Sequence, residues 1–361
     1  MRVIQLCLVL VALCGSQLAS AGEGEKTCRV AFDVGSSGIR VGTSDHLLGA
    51  RAEIDYLKPL WAGRGLAETI APTVMAFRDL PGFPATDCEQ VAGGFSAWRL
   101  SLSTRRAETV EILARIQAES GVALLVIPQS VEGAYGAYGA RQQLGERLRT
   151  SHILDIGGGS LQIAGERHSY GEALGQKIWH RLLCQALRNE EAHACHLQPM
   201  TGDELILARR LADDRLQGVG RVLPEPVTMT AISRPVTRGV YPALIHLAGS
   251  PTDGRLSLAE LSAGIEHLAP LAEAETATRT GTAVDRVQWL FSDMLLVEAL
   301  LRATGSASLQ VAELDLTNVP GLLADEQAFA WRRQFACYLE RLREQGESAY
   351  SSDPATCPAV Q

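Results

Sequence analysis

The chain has 361 residues, 46 % of them hydrophobic and 20 % charged, which is enough apolar material for two packed domains and excludes a disordered chain. A formal net charge of −8 excludes a nucleic-acid coat or a polybasic membrane-surface role. Any anionic substrate must therefore be met by a local basic cleft.

Arg2 precedes an apolar run from Val3 to Leu13, broken at Gln5, and Ala19-Ser20-Ala21 offers a small-residue cleavage site. This predicts a signal peptide over residues 1–21, cleaved after Ala21. The run is too short to cross a membrane, so the expected location is periplasmic or secreted, with no membrane span. Removing it takes Cys7 and Cys14 and leaves six cysteines, an even number that reads as disulfides in an exported protein. The expected pairs are Cys184–Cys195, Cys337–Cys357 and Cys28–Cys88. Cys28 and Cys88 each open an apolar run, so parallel neighbouring strands would start side by side.

Arg29–Val34 and Ile39–Thr43 read as a hairpin, with Ala50–Tyr56 as a third strand. Leu57–Asp79 is helical around a loop, and a turn cluster follows at 79–84. Strands are expected at Cys88–Gly94 and Val122–Ile127, and helices at Ala107–Glu119 and Val131–Arg149. The second half opens near Ser151 with a glycine hairpin and a third strand before Glu172–Gly175. Helices follow at Lys177–Arg188, Gly202–Gln217, Tyr241–Ala248, Ser257–Leu268 and Val284–Ala303. Leu309–Leu314 is a late strand and Glu326–Glu344 a terminal helix. Strands followed by helices, twice over, give an α/β chain of two similar lobes, expected at 28–150 and 151–335 with a helix and disulfide-tied tail at 336–361.

Two loops carry the chemistry. Ile153–Ile163 holds three glycines and Ser160 between apolar runs, with Asp155 just before the turn. Phe32–Val41 has the same grammar and puts Asp33 on Asp155 and Gly35 on Gly157, an offset of 122 (155 − 33). A repeated loop that keeps its carboxylate points to two related half-domains facing one cleft. Gly35, Ser36, Ser37, Gly157, Gly158, Gly159 and Ser160 are candidate phosphate ligands, through backbone and hydroxyl donors that no Cβ screens. Asp33 and Asp155 are candidate ligands of Mg²⁺, or of another divalent cation such as Ca²⁺ or Mn²⁺. Arg40 offers a charge-assisted contact to phosphate, although it reads equally well as an exposed strand arginine. The Arg141–Arg149 run reads as a solvated helix face, and His193-Ala-Cys-His196 is explained by a disulfide at Cys195.

With both loops in place, the chain resembles the exopolyphosphatase and guanosine-pentaphosphate phosphohydrolase family of the actin-like ATPase superfamily. In that family's pattern the second loop is Asp-x-Gly-Gly-Gly-Ser, complete here at Asp155–Ser160. The first is Asp-x-Gly-Ser-x-Ser-x-Arg, standing here as Asp33–Arg40 with Gly38 at the second serine. The resemblance implies two ribonuclease-H-like lobes facing across a central cleft. It makes Glu132 the catalytic carboxylate, with Asp155 beside it, and Arg99, after Phe95-Ser-Ala-Trp, a phosphate ligand. Pro128-Gln129 replaces the family's Ser-Gly, and Ala231–Ala248 shows no third double-glycine loop. The implied activity is cleavage of terminal phosphoanhydride bonds in inorganic polyphosphate or guanosine pentaphosphate, with an anionic phosphate polymer or nucleotide as partner and homodimerisation left open. Two alternatives are carried. One is an apyrase-like nucleoside tri- or diphosphatase, since Glu132–Tyr138 is similar to the Glu-Gly-x-Tyr pattern of that family. The other is a catalytically silent relative that binds polyphosphate or a partner protein.

Overall fold

The computed structural model describes residues 28–44, 50–82, 85–190, 195–223, 227–249, 253–314 and 318–358. The expected signal peptide lies outside the described residues. Five strands build the first sheet: β1 (Arg29–Val34), β2 (Gly38–Thr43), β3 (Arg51–Glu53), β4 (Glu89–Gly94) and β5 (Ala123–Val126). They lie in the order β3-β2-β1-β4-β5, with β1 antiparallel to β2 and parallel to β4. β3 is shorter than the expected Ala50–Tyr56. The second sheet holds β6 (His152–Ile156), β7 (Leu161–Gly165), β8 (Ser169–Glu172), β9 (Met229–Ala231), β10 (Arg255–Ser257) and β11 (Ser308–Val311). Its order is β10-β11-β9-β6-β7-β8. Read from β8, the run β8-β7-β6-β9-β11 repeats the first sheet's order and directions, with β10 added at the edge. The duplication thus extends from the loops to the whole sheet.

The helices are α1 (Leu57–Trp61), α2 (Ile70–Asp79), α3 (Ser96–Thr104), α4 (Arg106–Ser120) and α5 (Gln129–Leu144), then α6 (Gln176–Arg188), α7 (Gly202–Leu216) and α8 (Val219–Val222). A π-helical turn at Pro235–Val240 runs into α9 (Tyr241–Ala248). They are followed by α10 (Leu258–Leu268), α11 (Glu273–Thr280), α12 (Val284–Ala303), α13 (Val319–Ala324), α14 (Glu326–Arg333) and α15 (Phe335–Gln345). Local chemistry sets several ends. Gly121, at φ +78°, stops α4, and capping boxes at Thr201/Glu204 and Ser257/Glu260 open α7 and α10. The expected terminal helix is broken at Gln334, whose N–H turns back to both Ala330 and Trp331 carbonyls.

Each sheet has its own core, and the chain crosses between them twice. Val319–Tyr350 returns to pack in the first core, with Phe329, Trp331 and Tyr338 buried among residues of β4, β5 and α4. The second core is centred on α12, which is apolar nearly all round because it is covered on every side. α5 lies between the lobes. Gly133 sits where a Cβ would touch Ala164 and Gln162 at 3.4–3.6 Å, and Ala137 and Ala140 pack with Ile153, Ala164 and Ile232. Small residues let this helix lie flat on the second sheet while Tyr135 is buried in the first core.

All three expected disulfides are present, and Cys28–Cys88 joins the starts of the parallel strands β1 and β4. Beside Cys184–Cys195, the fully buried His180 faces the Ser292 hydroxyl and accepts from the Cys195 N–H. Burial pushes the imidazole down from 6.5 to about 4. The folded state therefore binds fewer protons than the unfolded chain between those values, so stability is full above pH about 6.5 and falls as pH drops toward 4. One such group accounts for about 3 kcal/mol across the window. Urea titrations of His180→Gln are expected to show a pH dependence of stability shallower by up to one proton between pH 4 and 6.5.

Candidate active site

β1 and β6 each run an aspartate to the end of a strand and then turn sharply, and the two turns face each other. A Cβ on Gly158 would run into the Ser36 hydroxyl, with Ser37 Oγ at 3.3 Å, so a glycine there is what lets the loops meet. Gly175 supports the second loop from below, where a Cβ would lie 2.6 Å from the Gly159 nitrogen. Gly38, at φ +148°, packs against the Ala52 carbonyl, which is the physical reason a serine does not stand there.

The loop amides divide into two classes. Gly35 N–H closes its turn on Gly38 O at 2.9 Å, and Gly157 N–H closes on Ser160 O at 2.8 Å. These two glycines shape the hairpins and have no amide to give a phosphate. The N–H groups of Ser36, Ser37, Gly158, Gly159 and Ser160 make no hydrogen bond among the described residues. Five unengaged donors in two facing turns are what an anion nest requires.

Glu132, in the first turn of α5, is buried between the loops. Its Oε2 accepts from Arg99 Nη2 at 2.7 Å and Gln162 Nε2 at 2.8 Å, with Ser160 Oγ at 3.5 Å. Oε1 accepts from none of the described residues. Arg99, on α3, also donates to Ile127 O at 3.0 Å and Ser160 Oγ at 3.1 Å. The expected phosphate ligand Arg99 is therefore first a partner of Glu132 and the second loop. Arg40, opposite Asp33 across the β1–β2 ladder, approaches that carboxylate at 3.6 Å and is partly exposed.

Asp33 and Asp155 share this environment. Burial raises the Asp33 carboxyl to about 6, with Arg40 pulling down and Glu132 pushing up. Burial and the Glu132 charge raise Asp155 to about 7. Asn318 donates a side-chain hydrogen bond to Asp33, and its own Oδ1 is buried without a partner. A Cβ on Gly136 would sit 3.7 Å from that oxygen and 4.0 Å from Asp155 Oδ2, so helix α5 brings both oxygens to one face. A buried carboxylate, Asp33, and a half-buried one, Asp155, near the Glu132 carboxylate and an orphaned amide oxygen are a hard-oxygen donor set short of positive charge, which fits a divalent cation.

Three residues of the site were not among the sequence candidates. Gln162 stands on Arg40 at the same offset of 122 (162 − 40), so the repeat itself pointed to it. Asn318 and Asp293 had no such signal. Asp293, on α12, is held well above the usual carboxylate range by burial, accepts from Gln176 Nε2, and so steadies the helix whose N–H groups bind Gly157 and Gly158 carbonyls. Gln129 explains the Pro128-Gln129 departure: its Nε2 donates to Leu161 O and Glu172 O at 3.1 and 2.8 Å, tying the start of α5 to the second sheet. Arg141 lies away from the loops, lining a cavity of about 440 Å³ with His152 and His168 at the far end of β6.

Two equivalent sheets with acid–glycine turns meeting across a cleft define a two-lobed, actin-like fold. The Ppx/GppA phosphatase family model matches residues 103–317, more than half of the sequence, and the chain belongs to that family. An uncharacterized protein of Streptomyces coelicolor is 28 % identical over 204 residues, 54 % of this chain and 58 % of that relative, so the chain spans under two thirds of the relative's length. The crystal structure of the Aquifex aeolicus Ppx/GppA phosphatase aligns at 18 % identity with a TM-score of 0.58, covering 82 % of this chain and 98 % of that one. An exopolyphosphatase from Cytophaga hutchinsonii aligns at 16 % identity and a TM-score of 0.58, covering 82 % and 96 %. These likenesses show the fold, two actin-like lobes. The family match takes in Glu132 and the second loop, while Asp33 and Arg99 lie before it.

Removing one partner of a buried ion pair strands the other charge, at a cost of about 3 kcal/mol or more. Arg99→Met is expected to lower stability by that order in denaturant titrations. The double variant Arg99→Met, Glu132→Met should regain much of it, since two apolar side chains of similar volume leave no unpaired charge.

Proposed function

We propose that this chain is an exported, divalent-metal-dependent phosphohydrolase that removes terminal phosphoryl groups from inorganic polyphosphate or from guanosine pentaphosphate. The observation that carries the reading is the seat of Glu132: a buried carboxylate between two facing phosphate loops, with one oxygen fixed by Arg99 and Gln162 and the other unengaged.

The unengaged amides of Ser36, Ser37, Gly158, Gly159 and Ser160 would hold the terminal phosphoryl and its neighbour, because fixed dipoles need no reorganisation as charge develops. Glu132 Oε1 would accept a hydrogen bond from the attacking water and take its proton, while Arg99 and Gln162 stop the carboxylate from rotating. Asp33, Asp155 and Asn318 would hold the cation, which when bound supplies charge neutralisation at the phosphate oxygens. Arg40 shares Asp33 and is placed to offset the charge of the carboxylate cluster.

Between polyphosphate and nucleotide, the region Ala231–Ala248 favours polyphosphate. Val236, Val240, Ala243 and Leu244 of the π-helical turn and α9 pack into the second core, and the segment carries one glycine, Gly239, in place of a double-glycine loop. Three disulfides support an extracytoplasmic location. No described helix is long and apolar enough to cross a membrane.

Purified protein is expected to release phosphate from polyphosphate in Mg²⁺, faster than from nucleoside tri- or diphosphates, and to stop when the metal is chelated. Glu132→Gln should lower kcat by about 10²–10⁴-fold, the range for loss of a general base, with KM little changed. Ligand binding without phosphate release from any polyphosphate or nucleotide would move the assignment to a silent binding protein.

A further inference from the structure

An ion pair joins the lobes across the cleft. Lys177 Nζ, at the start of α6, donates to Asp55 Oδ2, just after β3, at 3.1 Å. Each partner stands next to a phosphate loop. The N–H groups of Ile54 and Tyr56, on either side of Asp55, donate to the Ser37 and Ser36 carbonyls at 3.4 and 3.1 Å. The N–H of Lys177 donates to the Gly158 carbonyl at 2.8 Å. The Lys177 side chain is only 20 % exposed, against 46 % for Asp55. One helical turn on, Arg181 lies over the Trp61 ring at 5.2 Å, and its Nε is buried without a hydrogen-bond partner. α6 therefore presents two cations on one face, at i and i+4, to residues 55–61 of the other lobe.

As a strap, a half-exposed ion pair contributes little to holding two lobes together. Its location says more, because Asp55 puts an anion against a mostly buried ammonium at the rim of the anion nest. We propose that Lys177 is a further substrate ligand, which trades the Asp55 carboxylate for a phosphate further along the chain once the terminal group is seated in the loops. The proposal rests on the phosphate-chain reading above. A triphosphate at the loops repels the Asp55 carboxylate and attracts the Lys177 ammonium, so both terms drive the same exchange. A single phosphate fills the loops without extending to Lys177, and a chain extends to it. Lys177 thus selects chains over monophosphate, and Asp55 sets the threshold by competing for the same cation.

The test is calorimetric titration of the full chain, in Mg²⁺, with orthophosphate and with an imido-bridged tripolyphosphate that is not turned over. Lys177→Met is expected to weaken tripolyphosphate binding about tenfold, the worth of one charge-assisted hydrogen bond, with Lys177→Arg restoring most of it. Asp55→Asn should tighten it about threefold by releasing the lysine from its competitor. Orthophosphate affinity and unfolding midpoints should be unchanged in all three. Opposite signs for the two sites are the signature, because a purely structural strap would shift both variants in the same direction. Binding by the wild type that both variants weaken, or that neither alters, overturns the exchange and leaves the phosphate-chain reading standing. A wild type that binds neither ligand overturns both.

Discussion

The site depends on one buried ion pair. Arg99 and Glu132 come from different helices of the first lobe, and each reaches the second loop, Arg99 through Ser160 and Glu132 through Gln162. Four buried polar side chains share their charge and hydrogen bonds, so no one of them can shift without leaving another unsatisfied. That constraint fixes the carboxylate's orientation and holds the lobes in register.

The duplication gives the arrangement its geometry and its asymmetry. Both sheets place an aspartate at the end of a central strand, and both turn with amides left unengaged. Across the ladder the pair differs: Arg40 faces Asp33, while Gln162 faces Asp155. An arginine on one side and an amide on the other give Asp33 the closer cation, while burial and the Glu132 charge raise both carboxylates above their usual range. Glu132 has no counterpart in either loop. It is supplied by α5, the helix whose glycines and alanines let it lie between the lobes.

How much was legible follows from range. The loops, the carboxylate pair, Glu132 and Arg99 were readable because each sits in a short motif whose residue types have one economical explanation. Strands β1, β2, β4 to β7 and the long amphipathic helices were readable from periodicity. β9 and β10 were not: three residues each, held by neighbouring strands, they are too short to show a period. The break at Gln334 was hidden for a related reason, since the pattern on either side is helical and the turn is set by how Trp331 and Phe335 enter the first core. Asn318 and Asp293 lie in largely apolar stretches, distant in sequence from both loops.

The sequence by itself determined the local chemistry: two acid–glycine turns, an acidic helix start after a strand, and six cysteines whose positions pair by strand order and proximity. These are decided by backbone freedom and by neighbours within a dozen residues or by a repeat that can be aligned to itself. Only the tertiary structure decided which amides are spent on closing their own turns, that Val319–Tyr350 returns to the first core, and that Asn318, Gln129 and Asp293 buttress the loops. Those outcomes depend on which groups lose water together, and desolvation is a property of the packed assembly that no single stretch of chain carries.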